Sequence, residues 1–252
     1  MAAGDIKTLE ADLGIPGIRI ISTLRSGGAS PVPYRGMNLG DHVGDQAACV
    51  ASNRRQLQDI IPGNKQPIWL QQVHGSRVVA AHQVAPGAPP EADAAWTDQA
   101  GVACAVLTAD CLPIVLAAET GRAVAVVHAG WRGLAGGIIE ATLAAMPSVG
   151  GGVRAWFGPA IGPCCYEVGS DFRDVFLKRW GRAAADCFTE GRMSGKFQAD
   201  LYALAAQRLA RAGVRRISGG DQCTACNAGD YFSHRRDGIT GRMATVATIH
   251  TA

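Results

Sequence analysis

Three apolar, strand-like runs in this chain each lead to a side chain that binds metals, and beside each of them stands a residue that turns the backbone sharply. Ile68-Trp69-Leu70-Gln71-Gln72-Val73 closes at His74 and meets Gly75. Val102–Leu107 passes through Thr108-Ala109-Asp110 to Cys111, after which Leu112-Pro113 opens the next run. Ala123-Val124-Ala125-Val126-Val127 ends at His128 and runs into Ala129-Gly130-Trp131-Arg132-Gly133. Extended segments that alternate with forced corners build sheets, and they gather side chains at the strand ends. Two imidazoles and a thiolate without an obvious fourth partner read as zinc with an open coordination position, the catalytic rather than the structural pattern.

The rest of the chain fits this scheme. Gly17–Thr23 reads as a further strand, and Leu112–Ala117 pairs with Val102–Leu107 across the Ala109-Asp110-Cys111 corner. A helix runs from Gly133 to about Ala145, with Leu134, Ile138, Ile139 and Leu143 at helical spacing. Phe172–Trp180 and Asp200–Ala212 are amphipathic helices, the second leading through Gly213 into a short strand at Val214–Ser218. Alternating β and α elements with long apolar strands predict an α/β (α+β) protein of mixed β-sheets with flanking helices. At 252 residues the chain is expected to form a single domain, 1–252, with the proline-rich Val84–Glu91 stretch as a surface loop.

Composition removes several function classes. A chain that is 48% hydrophobic and 18% charged is globular rather than disordered over most of its length. No apolar run approaches the roughly 20 residues that span a bilayer. Asp5, Lys7, Glu10 and Asp12 break the charged-then-apolar order of a signal peptide, so a cytoplasmic location is expected. A net charge of +3 with scattered Lys and Arg gives no basis for nucleic-acid binding and leaves arginines available for an anionic substrate. Eight cysteines without a secretory signal are expected to be thiols or metal ligands.

A series of motifs then carries a resemblance. Arg25-Ser26-Gly27-Gly28-Ala29-Ser30, Asn38-Leu39-Gly40-Asp41-His42-Val43-Gly44-Asp45, Gln72-Val73-His74-Gly75, Asp93-Ala94, Thr108-Ala109-Asp110-Cys111-Leu112-Pro113, His128-Ala129-Gly130-Trp131-Arg132-Gly133, Gly158-Pro159-Ala160-Ile161-Gly162, Cys223-Thr224 and Phe232-Ser233-His234-Arg235-Arg236-Asp237-Gly238 resemble, in order, the motifs of the YfiH family. That family also carries the label polyphenol oxidase or laccase-domain protein and is similar to purine nucleoside phosphorylases of mammals. The resemblance implies a YfiH-like fold and a zinc enzyme that phosphorolyses adenosine, inosine and methylthioadenosine and deaminates adenosine. It also implies zinc ligands at His74, Cys111 and His128. At position 234 the family commonly has an aromatic residue, so His234 is a departure that brings a second metal-capable side chain to this motif.

Chemistry assigns roles to the remaining polar residues. Water on such a zinc has its pKa lowered toward about 7 and suits attack at C6 of adenine. Phosphorolysis needs phosphate gripped beside the sugar; Arg25, next to Gly27-Gly28, and Arg235 have the bidentate geometry for it. Asp110 is expected to orient a ligand histidine or relay a proton, and Asn38 and His42 are placed at the substrate. His82 and His250 read as surface or terminal residues. Gly130 and Gly133 either turn a strand into its helix or open a helix N-terminus to phosphate. Cys223-Thr224-Ala225-Cys226 and Cys164-Cys165 read as buried thiols, since a vicinal pair has the wrong spacing for a standard four-thiolate knuckle.

Three other functions compete. A His-His-Cys set resembles a blue-copper centre, with Met193 or Met243 as axial ligand, but six histidines without a His-X-His pair rank Cu2+ and a copper polyphenol oxidase below zinc. A metal-free thiol hydrolase or amidase would use Cys111 as nucleophile, His128 or His74 as base, and Asp110 or Asn38 to orient it; the family's fold resembles that of a deamidating bacterial toxin. A non-catalytic part in cell-wall precursor editing, attributed to some bacterial relatives, leaves no local signature to read.

Overall fold

Successive side chains of the strand Leu112–Ala118 enter different cores: Ile114 and Leu116 face one, Val115 and Ala117 the other. A strand buried on both faces in this way lies in the middle of a layered molecule. The computed structural model describes residues 6–250; residues 1–5, Asp5 among them, and 251–252 lie outside the description. The first elements are β1 (Thr8–Ala11), β2 (Ile18–Thr23), α1 (Ala47–Ile60), β3 (Val78–Ala80), β4 (Ala94–Thr97), β5 (Ala103–Thr108), β6 (Leu112–Ala118) and β7 (Val124–Ala129). There follow α2 (Trp131–Gly136), α3 (Ile138–Ala145), β8 (Val153–Phe157), β9 (Glu167–Gly169), α4 (Ser170–Trp180), β10 (Phe188–Glu190), β11 (Lys196–Ala199), α5 (Leu201–Arg211), β12 (Arg216–Gly219), α6 (His234–Asp237) and β13 (Met243–Ile249).

Six strands in the order β12-β8-β6-β7-β4-β3 form a mixed sheet, parallel at its two outer pairs and antiparallel within. Four strands in the order β1-β2-β13-β5 form a wholly antiparallel one. Ile20, Cys104, Val106 and Ala247 of the smaller sheet pack on Val115, Val124, Val126 and Trp156 of the larger. The far face of the smaller sheet, through Ala105, Leu107 and Val246, is covered by Leu57 and Ile61 from the end of α1. The far face of the larger sheet meets α2, α3, α4 and α5, with Phe176 and Leu204 among its fully buried side chains. The result is helix, sheet, sheet, helix. Each aliphatic side chain fully withdrawn between these layers contributes about 1.5–3 kcal/mol of transfer free energy.

The alternation of elements and the mixed sheets with flanking helices match the sequence expectation, and several particulars differ. Leu112–Ala118 and Ala103–Thr108 are not partners: the Ala109-Asp110-Cys111 corner carries the chain from one sheet to the other. Ile68–Val73 is extended but makes only single bridges, Ile68 to Cys104 and Gln71 to Glu91. Gln72 replaces a ladder there, its side chain donating to the Leu107 carbonyl at 2.8 Å and accepting from the Leu107 N–H at 2.7 Å. The helix expected from Gly133 breaks at Gly137, whose φ of 90° closes α2 before α3 begins. His82 is not a surface residue; it is half-buried, edge-on to Trp96 at 5.1 Å and 3.4 Å from the Thr97 hydroxyl.

Candidate metal centre

The metal-capable side chains His74, Cys111 and His128 converge from three elements, their ligand atoms all within 4.8 Å of one another. His128 comes from the end of β7, Cys111 from the crossover corner between β5 and β6, and His74 from the bridge-held segment that approaches β5. The group is exposed at His74, half-buried at Cys111 and buried at His128, so it opens outward on the His74 side. His74 Nε2 lies 3.8 Å from Cys111 Sγ, and the two imidazole rings stand edge to face at 4.7 Å.

One carboxylate organises this group, and it is Asp93. Asp93 Oδ1 takes the Nδ1 edge of His128 at 2.7 Å, which turns Nε2 toward Cys111 and His74. The same carboxylate accepts the N–H groups of Val73, His74 and Gly75 at 3.2, 2.9 and 2.7 Å. His74 has a φ of 60°, a conformation that costs a non-glycine residue about 1–2 kcal/mol, and those three bonds to one anion offset it. Asp93 therefore fixes both histidines. Burial opposes its charge, yet the bonds from His128 and from the Gly75 and Val73 N–H groups hold its carboxyl below the usual range. Burial alone would raise the Cys111 thiol, but the adjoining imidazoles of His128 and His74 bring it down to about 6. Burial likewise opposes charge on His128, while the Cys111 thiolate and Asp93 raise it to about 9.

The residues fit a metal by a steric criterion as well as by chemistry. A Cβ built on Gly130 would lie 2.8 Å from His74 Cδ2, 3.2 Å from Cys111 Sγ and 3.3 Å from His128 Cε1. Any residue larger than glycine would push into the ligand group, so this position keeps the space among the three clear. Two imidazoles and a thiolate suit zinc, with His128 giving up its second proton as a metal binds, and the open His74 side leaves room for a further ligand.

The other sequence candidates lie around this group in different states. Asp110, with φ 89°, accepts from Thr224 Oγ1 and from the Arg235 N–H, each at 2.6 Å, so it braces the Cys111 corner, and the orienting of His128 belongs to Asp93. The Arg235 guanidinium donates to the Glu167 carbonyl at 2.9 Å and stands 5.0 Å over the Tyr166 ring. Asn38 is fully buried, its amide bonded to Gly40, Asp45 and the Arg242 N–H, which ties the 38–45 loop to the segment before β13. His42 is exposed, 3.5 Å from Asp41. Arg25 lines a cleft of about 780 Å³ with Arg35, Gly27 and Gly28, and one of its NH groups donates to the Ala228 carbonyl at 3.0 Å. His234 bonds the Gly238 carbonyl at 2.7 Å and stands apart from the metal-ligand group. Met243 is buried with Ala109, Tyr231 and Phe232, and Met193 is exposed.

Sequence reasoning gave no role to Asp93, Tyr166 or Arg242. The Asp93-Ala94 pair is a motif, but only the fold brings it under His74 and His128. The charges of Cys111 and Asp110 reach both of the others: they add to the burial that pushes Tyr166 up, and on half-buried Arg242 they only partly oppose the burial that lowers its pKa.

Fold and site together define an α/β protein of two stacked sheets and a third, three-stranded sheet in the order β10-β11-β9, in which strand ends of the stacked pair offer a metal two imidazoles and a thiolate. The chain belongs to the multi-copper polyphenol oxidoreductase laccase family (Cu-oxidase_4), whose pattern it matches over residues 19–250. It is 43% identical over 231 residues to the protein of Escherichia coli named purine nucleoside phosphorylase YfiH, covering 91% of this chain and 93% of that one. It is 46% identical over 244 residues to a purine nucleoside phosphorylase of Xylella fastidiosa, with 93% of each covered. Among solved structures, a Neisseria meningitidis protein of family DUF152 superposes with a TM-score of 0.90 at 45% identity, over 97% of this chain and 99% of that one. YfiH of Bacillus licheniformis gives 0.84 at 30% identity, over 92% of each.

Proposed function

We propose that this protein is a zinc-dependent purine nucleoside phosphorylase, acting on adenosine, inosine and methylthioadenosine in the cytoplasm, with adenosine deaminase activity at the same site. The observation that carries the reading is the His74–Cys111–His128 group braced by Asp93, in a chain whose relatives at 43% and 46% identity are named purine nucleoside phosphorylases.

Zinc held by these three residues supplies Lewis acidity at an open position. The protein supplies the geometry. Asp93 keeps a proton on His128 Nδ1 and so leaves Nε2 as a donor atom toward the site. Cys111 offers a thiolate near neutral pH, and Asp110 fixes the corner from which it projects through Thr224 and the Arg235 N–H. In phosphorolysis a phosphate oxygen bonds to C1′ of the ribose as the bond to N9 breaks, and the departing base takes up a proton. Arg25, in the large cleft beside Arg35 and Gly27-Gly28, is the residue we assign to phosphate, with Arg235 as the second candidate. In deamination water adds at C6 of adenine and ammonia leaves, a reaction that needs no phosphate.

The test is nucleoside turnover by the purified protein with and without phosphate, alongside elemental analysis. Free base that appears only with phosphate, ammonia from adenosine, and bound zinc are the expected results. Copper with phenol oxidation in place of these would overturn the reading.

One observation favours a second reading. The line from Asp93 through His128 to Cys111 has the order of a thiol hydrolase triad, in which His128 takes the Cys111 proton. Amide hydrolysis by metal-free protein, lost on Cys111→Ala, would establish it in place of the first.

A further inference from the structure

A second cluster of soft ligands lies outside the site described above. The sulfurs of Cys164, Cys165, Cys223 and Cys226 all fall within 4.8 Å of one another. Cys226 Sγ is 3.4 Å from Cys164 Sγ and 3.3 Å from Cys165 Sγ. The two close separations exceed a disulfide bond of about 2.05 Å and fall within about half an ångström of the sulfur–sulfur edge of about 3.8 Å in a tetrahedron built from zinc–sulfur bonds of about 2.3 Å. In sequence the vicinal Cys164-Cys165 pair argued against a four-thiolate site. The fold removes that objection by bringing the pair to the Cys223–Cys226 loop from the opposite side.

We propose that Cys164, Cys165, Cys223 and Cys226 bind a second zinc ion, a closed structural site distinct from the His74–Cys111–His128 group. Three features of the surroundings support it. The parallel neighbours β8 and β12 each run into one of the two cysteine-bearing loops, which Ala160 and Cys223 bridge. Gly162 donates its N–H to Cys223 Sγ at 3.2 Å, the kind of bond that holds a metal thiolate. A Cβ on Gly162 would lie 3.2 Å from Cys223 Cβ and 3.4 Å from Cys164 Sγ, so glycine is what allows the loops to approach this closely. Positive charge is at hand too. Four thiolates on a divalent ion leave two negative charges, and Arg192, Arg235 and Arg236 line the same depression as Cys164 and Cys165, with Glu167 among them and Arg236 paired to Asp237. On binding, each thiol releases its proton to solvent, and no electron is transferred.

The second ion has a definite mechanical role. Thr224 sits between the cysteines of the CxxC loop and holds Asp110; Ala228 and Asp230, just beyond it, hold the side chain and backbone of Arg25. Locking this loop to residues 160–165 therefore sets the corner that carries Cys111 and one wall of the large cleft.

The experiment is zinc stoichiometry on full-length protein purified under reducing conditions, for the wild type, Cys111→Ala, and the double variant Cys223→Ser with Cys226→Ser. The expected values are about two ions per chain in the wild type and about one in each variant. Cobalt added to metal-depleted Cys111→Ala protein should give the intense visible bands and thiolate charge-transfer absorption of a tetrathiolate site, which reads the cluster without relying on a cysteine variant that fails to fold. A wild type with one zinc that Cys111→Ala abolishes, or four thiols of the native chain that react freely with a thiol reagent, or two disulfides among them by mass spectrometry, would overturn the proposal. Two zinc ions in a wild type that turns over no nucleoside would count against the nucleoside reading alone.

Discussion

Asp93 is the residue on which the candidate centre turns, because one buried carboxylate accepts three backbone N–H groups from the His74 turn and the ring N–H of His128. Asp93→Asn keeps the volume but removes the charge and leaves an NH2 group facing donors. Zinc affinity should fall about 10–100-fold, read by competition with a chromogenic chelator. Stability should also drop by about 1–3 kcal/mol, read by urea denaturation, because at least one N–H at the turn loses its acceptor. Gly130→Ala tests the same centre from the steric side. Its methyl group would overlap the His74 ring, so zinc content should fall well below one equivalent at this site while the melting temperature stays close to that of the wild type. Full zinc occupancy in Gly130→Ala would mean that His74 is not held where the ligand group needs it.

The corner between β5 and β6 shows how an element can serve two sheets at once. Asp110 there has both oxygens occupied, by Thr224 and by the Arg235 N–H. Thr224→Val removes one donor at nearly constant volume and leaves a buried carboxylate oxygen short of a partner, which should cost about 1–3 kcal/mol and lower kcat without removing the first zinc. Unchanged turnover in this variant would separate the corner from catalysis. The same corner marks the limit of what sequence patterns reveal. Apolar runs at 103–108, 112–118 and 124–129 and the helical spacing at 172–180 and 201–211 were legible because each buries a continuous face. Helix α1 was not, since only Val50, Asn53 and Leu57 of its fourteen residues are buried, too few to print a stripe. Strand β13 went unread although every residue of it is buried: Thr245 and Thr248 interrupt Met243, Val246 and Ile249, so it lacks the continuous aliphatic run that marked its neighbours. The three ligands could be picked out singly from their places at strand ends. Asp93 could not, because its partners stand 18 to 35 residues away and no local pattern states that they meet.

At the scale of the whole molecule the two proposed reactions differ in one demand, that for phosphate. Arg25→Lys keeps the charge in the large cleft but loses the planar two-point grip, so phosphorolysis should fall by about tenfold or more while zinc content is unchanged. Deamination makes no demand on phosphate, so the ratio of ammonia to free base released from adenosine should rise. Equal loss of both activities in Arg25→Lys and in Arg235→Lys would move the phosphate role elsewhere in the cleft. Strand β13 adds a constraint of another kind. It lies between β2 and β5, so residues 243–249 complete a sheet whose other strands leave the ribosome far earlier. Until they emerge, β2 and β5 each present an unpaired edge of N–H and C=O groups, the surface on which strands of separate chains associate. A nascent chain stalled before residue 243 thus exposes strand edges on which other chains can associate.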